Sequence, residues 1–141
     1  MTDAVERVVS FYEKLQPDTL HGLRELYAQH ARFKDPFNDV IGHEAILRIF
    51  EHMFASLESP RFLVTTRIGD DTRCALEWVF TFALSGRAFE VRGMSVLTFD
   101  DDKRISSHRD YWDPAEEVYA RLPGVGVIFR WLRRRMSATS P

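Results

Sequence analysis

In the N-terminal part of the chain, apolar residues recur at the spacing of an α-helix in three places. The ranges predicted as helices are Asp3 to Leu15, Thr19 to Ala28 and Gly42 to Leu57. Pro17 separates the first two ranges, because proline disfavours a helical conformation in the residue before it. Between the second and third helices, residues 31–39 predict an extended piece that ends in a turn-rich loop.

After Pro60 the helical period gives way to alternation of apolar and polar residues, which is typical of strands. The predicted strands are Arg61 to Ile68, Arg73 to Leu84, Phe89 to Phe99 and Arg104 to Trp112. Hairpin-length connections join them, so the sheet is mainly antiparallel, with four strands or more. Strands this long twist and coil, and helices must cover the concave face that results. The predicted fold is therefore α+β, with three N-terminal helices over a curved sheet and an apolar pocket between the layers.

The C-terminal part of the chain is amphipathic and basic. A short helix is predicted over Ala115 to Arg121, and a second helix over Val125 to Met136 interleaves apolar residues with four arginines. We therefore divide the chain into a barrel domain, residues 1–115, and a helical extension, residues 116–141. The extension could pack on the domain, cap a dimer or contact an anionic membrane surface. Packing on the domain or on its partner in a dimer is the preferred interpretation, because a dozen residues make a weak isolated anchor.

The composition is that of one soluble globular domain. The chain has 141 residues, 45% of them hydrophobic, and its 11 Phe and 3 Trp exceed what a small core needs. This aromatic surplus favours a lined cavity. A net charge of −2 argues against nucleic acid as a partner, because phosphate binding needs clustered positive charge. Charges throughout the first residues match neither a secretory signal nor a membrane span, so a cytoplasmic location is expected.

Two aspartates are candidates for chemistry. Alternation along the last predicted strand puts His108, Asp110 and Trp112 on one face of the sheet. A carboxylate beside aromatic rings on an inward face is partly desolvated, which suits proton transfer or the orientation of a water. The alternative is that Asp110 pairs with an arginine at the sheet edge. Asp35, directly before Pro36, has a turn-forming role as its alternative.

Sequence signals for metals and cofactors are missing. Cys74 is the only cysteine, so neither an internal disulfide nor a cysteine metal cluster can form. His21, His30, His43 and His52 lack the spacing of metal ligands. The chain also has no glycine-rich phosphate loop and no nucleophile elbow. We therefore expect no metal and no cofactor.

Three segments resemble the nuclear transport factor 2-like superfamily. Tyr27 to Pro36 and Gly42 to Ile46 resemble its SnoaL-like and ketosteroid isomerase-like branch, and Arg109 to Asp113 resembles limonene epoxide hydrolase. The resemblance covers about residues 3–115. It implies a cone-shaped α+β barrel with a pocket between helices and sheet.

The resemblance also implies roles for the two aspartates. Asp35 matches the general base of the isomerases and a water-orienting amide of the hydrolase, and Asp110 matches the catalytic aspartate of the hydrolase. Other positions depart from both enzymes. The departures are Phe11 and Ser95 at isomerase oxyanion-donor positions, and Phe33, Leu76 and Trp78 at polar positions of the hydrolase.

Three hypotheses follow for the function. The first is a cofactor-independent isomerase, cyclase or hydrolase that acts on a small hydrophobic molecule, with Asp35 and Asp110 as acid and base. The second is a non-catalytic module that binds a hydrophobic ligand and forms a homodimer. The third is a structural adaptor that uses the pocket opening and the basic tail to dock a protein or a membrane. The residues predicted to line the pocket are Phe11, Tyr12, Phe33, Phe50, Phe54, Trp78, Phe80, Val91, Ser95, His108 and Trp112.

Overall fold

One six-stranded sheet forms the body of the part of the chain that the computed structural model describes, residues 2–118 and 124–136. Its strands are β1 (Tyr27–Lys34), β2 (Asp39–Ile41), β3 (Glu58–Gly69), β4 (Arg73–Leu84), β5 (Arg87–Phe99) and β6 (Ile105–Tyr111). The helices are α1 (Asp3–Glu13), a 3₁₀ helix (Pro17–Gly22), α2 (Leu23–Leu26), α3 (His43–Ser56), α4 (Pro114–Glu117) and α5 (Val125–Met136). The predicted α+β class is thus confirmed.

The order of the strands across the sheet is β2-β1-β6-β5-β4-β3. All neighbours are antiparallel except β1 and β6, which run parallel. Strands β3 to β6 follow one another as hairpins, as their short connections predict. The extended piece predicted over residues 31–39 supplies the end of β1 and the start of β2, which is why the sheet is larger than the minimum of four strands.

The second predicted helix is wrong in its extent. After the 3₁₀ helix there is only one turn of α2, and Tyr27 and Ala28 already belong to β1. Tyr27 is completely buried, and its Cα pairs with that of Ile105 on β6. This contact with the far end of the chain outweighs the local helical pattern, because tertiary packing overrides weak helix propensity.

Helices α1 and α3 cover the concave face of the sheet. Helix α1 packs against β3, and α3 packs against β1, β2 and β3. Each helix buries one apolar stripe, including Val5 and Val8 on α1 and Ile46 and Phe50 on α3. The buried residues of these helices and of the inner sheet face form one continuous core.

The basic segment near the C-terminus is helical over Val125–Met136, as predicted. Of the other predicted helix, Ala115 to Arg121, the structure shows α4, which ends at Glu117; Val118 is in a turn, and residues 119–121 lie outside the described residues. The division of the chain after residue 115 stays a prediction. No helix within residues 2–118 and 124–136 is both long enough and apolar enough to cross a bilayer.

Candidate functional site

Between the helices and the concave sheet face lies a small cavity. Its volume is about 40 Å³, which is room for roughly three water molecules. The lining residues are Val8, Tyr12, Phe33, Phe50, Phe62, Val64, Leu76, Trp78, Ser95, Leu97, His108 and Asp110. The wall is therefore mostly apolar, with its polar groups concentrated on the sheet side.

Alternation along the strands places the polar groups of the cavity. His108 and Asp110 are two residues apart on β6, and Ser95 pairs with Asp110 on the neighbouring strand β5. Trp78 on β4 lies opposite Gly93. A Cβ atom at position 93 would come within 2.4 Å of the Trp78 ring, so glycine is needed there for the indole to lie across β5.

The Asp110 carboxylate accepts two side-chain hydrogen bonds at the same oxygen, Oδ1. The Trp78 indole donates to Ser95 Oγ at 2.8 Å. Since the indole N–H can only donate, the single hydroxyl hydrogen of Ser95 is left to bond with Asp110 Oδ1. His108 Nε2 lies 2.7 Å from the same oxygen. Within the described residues, both of these side-chain hydrogen bonds to the carboxylate end on Oδ1 rather than Oδ2.

Two tyrosines continue this network on the far side of the imidazole. The Tyr27 hydroxyl lies 2.7 Å from His108 Nδ1, and it also contacts the Tyr12 hydroxyl. If Asp110 is ionised and His108 neutral, Nε2 carries the proton and Nδ1 must accept from Tyr27. Tyr27 then accepts from Tyr12. In this arrangement each donor of the network, from Tyr12 through Tyr27 to His108, donates in the direction of Asp110.

The two tyrosines of this hydrogen-bond network, Tyr12 and Tyr27, hold their protons firmly. Burial raises the pKa of both Tyr12 and Tyr27 well above the ordinary value of 10.0, and the nearby Asp110 charge raises it further. Both hydroxyls therefore remain donors at neutral pH. His108 is only 3% exposed, whereas the Asp110 side chain is 17% exposed, so the carboxylate is the more accessible of the two groups.

The structure gathers only some of the predicted site residues at this cavity. Those that line it are Tyr12, Phe33, Phe50, Trp78, Ser95, His108 and Asp110. Those placed outside its lining are Phe11, Phe54, Phe80, Val91, Trp112 and Asp35. Phe80 instead stacks on Phe62, with ring centroids 4.4 Å apart. Trp112 packs edge-on against Phe37 at 5.6 Å, and Phe11 packs against the Tyr12 ring at 5.6 Å.

Asp35 is engaged in its own turn. Its Oδ1 accepts hydrogen bonds from the backbone N–H groups of Phe37 at 2.8 Å and Asn38 at 2.7 Å. The Asn38 side-chain amide also donates to both carboxylate oxygens at 3.1 Å. These contacts match the turn-forming alternative, in which an aspartate caps the two residues that follow it. The structure does not bring Asp35 together with Asp110 at the cavity.

Several residues that line the cavity were not predicted from the sequence. They are Val8, Phe62, Val64, Leu76 and Leu97, together with Tyr27 behind the lining. Alternation could have found four of them, since Phe62 and Val64, Leu76 and Trp78, and Ser95 and Leu97 are pairs on one strand face. Tyr27 could not be found because its range was predicted as helix.

Within residues 2–118 and 124–136, no group of three or more His, Cys, Asp and Glu side chains is arranged to hold a metal ion.

Similarity to solved structures is extensive but distant in sequence. An NTF2-like protein of unknown function from Burkholderia pseudomallei is 19% identical, with a TM-score of 0.73 over 82% of this chain and 95% of that one. A hypothetical protein with a ketosteroid isomerase-like fold from Catenulispora acidiphila, in complex with trimethylamine, is 19% identical, with a TM-score of 0.71 over 86% of this chain and 92% of that one. An LEH-like epoxide hydrolase from Mycobacterium tuberculosis is 17% identical, with a TM-score of 0.70 over 89% and 93%. At these identities the likeness shows the fold.

Comparison with curated proteins gives no match. The sequence profile of the SnoaL-like domain, however, matches residues 8–108, which span most of the chain. That range contains α3, the part of α1 from Val8 onwards, and every lining residue except Asp110, which follows two positions later. By this match, and with a nuclear transport factor 2-like fold, the chain belongs to the SnoaL-like domain family.

Proposed function

We propose that this SnoaL-like protein is a cofactor-independent acid–base catalyst that takes a small, largely apolar molecule into the cavity, with the Asp110 carboxylate as its reactive group. The observation that carries the proposal is the 2.7 Å contact between His108 Nε2 and Asp110 Oδ1 in a cavity whose other walls are mostly apolar. A positioned carboxylate of this kind can remove a proton beside a carbonyl, or one from a water that attacks an epoxide.

The network supports this role in two ways. His108 and Ser95 both donate to Oδ1, so the carboxylate is held in one orientation while Oδ2 stays available. Once Oδ2 has taken a proton, the carboxyl group is neutral and its hydrogen bonds from His108 and Ser95 are weaker. This favours return of the proton to the substrate. The apolar wall excludes most water, which strengthens these hydrogen bonds.

This proposal differs from the mechanism implied by the family resemblance, in which two aspartates act together. Asp110 keeps its proposed role, and His108 takes the place of Asp35 as its partner, because Asp35 lies outside the cavity lining. The catalytic role of Asp35 stays a prediction, which the experiment below tests separately.

The test uses small probe substrates of each reaction class. Wild-type protein is incubated in D₂O with acetone or cyclopentanone, and exchange of the α-protons is followed by ¹H NMR; propylene oxide serves as the hydrolase substrate. We expect Asp110→Asn to lower the wild-type rate by roughly 100-fold or more, the usual contribution of a general base.

Asp35→Asn is the matched control, since asparagine keeps the Oδ1 acceptor of the turn. We expect its rate to stay near that of the wild type. Full activity of Asp110→Asn would refute the proposal, and a loss confined to Asp35→Asn would restore the role implied by the resemblance. Circular dichroism of each variant establishes that the fold is intact.

The alternative function is a binding module without turnover. It is favoured by the fact that Tyr12, Trp78, Ser95 and His108 all have protein partners already. In this case the same small ketones raise the melting temperature, as a ligand specific for the folded state must. α-Proton exchange and epoxide hydrolysis then stay at the background rate. Thermal melting beside the NMR assay thus separates the two functions.

A further inference from the structure

Helix α5 presents apolar side chains to solvent. Val127 is 57% exposed, Ile128 is 61% exposed and Trp131 is 51% exposed. Large apolar residues at such exposure are unremarkable singly, but these three lie within one turn and a half of the same helix. They form a small apolar patch rather than scattered positions.

Positive charge surrounds this patch. Arg130, Arg134 and Arg135 are exposed on the same side of the helix, since residues three and four positions apart are neighbours on a helix surface. The Arg135 guanidinium lies over the Trp131 ring at 5.3 Å. The range Val125–Met136 holds four arginines and no acidic residue, in a chain whose net charge is −2. We call the surface formed by Val127, Ile128, Arg130, Trp131, Arg134 and Arg135 the α5 surface.

We propose that the α5 surface binds the surface of an anionic phospholipid bilayer. Guanidinium groups match phosphate geometry and charge, and tryptophan favours the boundary between headgroups and acyl chains. A basic helix with exposed aromatic and aliphatic residues lies in the plane of such a boundary. With only 12 residues, α5 is too short to span a bilayer, so the contact is peripheral. This inference is independent of the proposed catalysis.

A second copy of the chain is a poorer occupant of the same surface. A symmetric dimer would place one α5 surface against another, because a two-fold interface uses the same patch on both subunits. The three arginines of one α5 surface would then face those of the other, and Val125–Met136 contains no acidic residue to offset them, so the like charges would repel. Charge complementarity therefore favours an anionic partner.

The experiment measures binding of the full chain to vesicles by flotation. One set contains phosphatidylcholine alone, and the other contains roughly one third phosphatidylglycerol, enough to attract a polybasic segment. We expect binding to the anionic vesicles only, and weaker binding as salt is added. Equal binding to both sets, or no binding to the anionic set, overturns the proposal.

Two double variants and their matched controls test which surface is used. Arg134→Gln with Arg135→Gln should lower the partition coefficient by roughly 10- to 30-fold, whereas Arg48→Gln with Arg87→Gln removes the same charge from exposed sites elsewhere and should leave it nearly unchanged. Ile128→Ser with Trp131→Ser should also abolish most binding. Leu63→Ser, at an exposed apolar site on β3, is its control.

Analytical ultracentrifugation of the same proteins measures self-association. A wild-type dimer that dissociates in the Ile128→Ser, Trp131→Ser variant would show that α5 pairs with a second copy, and would overturn the proposal. Binding that the control variants weaken as much as the α5 variants would overturn it as well.

Discussion

The Tyr27 hydroxyl lies between two polar groups and forms a hydrogen bond with each. It contacts the Tyr12 hydroxyl on one side and His108 Nδ1 on the other. Imidazole is neutral in either of two tautomers, and the partner of one nitrogen decides which tautomer is favoured. A donor at Nδ1 leaves the proton on Nε2, where it bonds to Asp110. Tyr27 therefore acts on Asp110 through His108, as a positioning residue.

Tyr27→Phe should change the tautomer of His108. Without a donor at Nδ1, the Nδ1–H form is no longer disfavoured, and Nε2–H donation to Asp110 is weakened. Two-dimensional ¹H–¹⁵N spectra of the histidine side chains distinguish the tautomers directly. We expect wild-type His108 to give the Nε2–H pattern and the variant to give a mixture. The variant should also lose about 1–3 kcal/mol of stability, because it leaves buried polar groups unpaired.

Tyr12→Phe is the comparison for this prediction. It removes the distal hydroxyl but keeps the Tyr27 donor, so the His108 pattern should remain that of the wild type. An Nδ1–H pattern in the wild-type protein, or identical spectra for the wild type and Tyr27→Phe, would contradict the assigned direction of the hydrogen bonds.

At the scale of secondary-structure elements, the packing of the Trp78 ring of β4 across β5 depends on a single glycine. Gly93 lies opposite Trp78, and a Cβ atom there would come within 2.6 Å of two ring atoms and 3.0 Å from Trp112 Cβ. The Trp78 indole uses that space to reach Ser95. The glycine thus couples the packing of the sheet to the hydrogen bonds around Asp110.

Gly93→Ala should destabilise the protein by about 1–3 kcal/mol, the usual cost of overpacking. The added methyl group must displace the Trp78 ring, which also breaks its bond to Ser95. Urea unfolding measures the loss, and Trp78 fluorescence should shift with it. Gly22→Ala is the control, because its Cβ would meet Phe11 at an ordinary 3.4 Å. A stability equal to that of wild type in Gly93→Ala would show that the ring is not confined.

Local periodicity was enough to predict the elements whose partners are adjacent in sequence. Helices α1 and α3 and strands β3 to β6 were found, because each carries its own apolar stripe or alternation. Strand β1 was not fully found, because its first residues continue the helical spacing of α2. Only pairing with β6, far along the chain, makes them a strand.

The candidate site was likewise predicted only in part. Alternation on β6 correctly put His108 and Asp110 on one face, and the structure brings both to the cavity. The inclusion of Asp35 rested on family resemblance, while its sequence context, Asp-Pro, already indicated a turn. No sequence pattern indicates that Asn38 and two backbone N–H groups occupy the Asp35 carboxylate.

For the whole molecule, buried thiol and phenol groups make the free energy of unfolding depend on pH in the alkaline range. Burial raises the pKa of the Cys74 thiol from 9.0 to about 11, and it raises those of Tyr12 and Tyr27 above 10.0. Between the unfolded and folded values, the folded state keeps protons that the unfolded state releases. The free energy of unfolding must therefore fall as the pH rises.

We expect stability to decline from about pH 9, where unfolded Cys74 begins to ionise, and more steeply from about pH 10 with the tyrosines. The limiting slope for one tyrosine is about 1.4 kcal/mol per pH unit. Urea unfolding from about pH 8 to about pH 11 measures it. Tyr27→Phe should flatten the steeper part, since that proton is no longer present. A wild-type curve that stays level up to about pH 11, or an unchanged slope in the variant, would contradict this assignment.

The parallel contact between β1 and β6 also sets the timing of folding during synthesis. Tyr27 and His108 are 81 positions apart in the chain, a distance that a ribosome covers in roughly 4 to 16 seconds at about 5–20 residues per second. Throughout that interval β1 has no neighbour on one side, and the apolar stripe of α1 has no complete sheet to cover. A nascent chain that has not yet reached β6 therefore exposes the unpaired edge of β1 and the apolar stripe of α1. We expect it to bind chaperones at the ribosome exit.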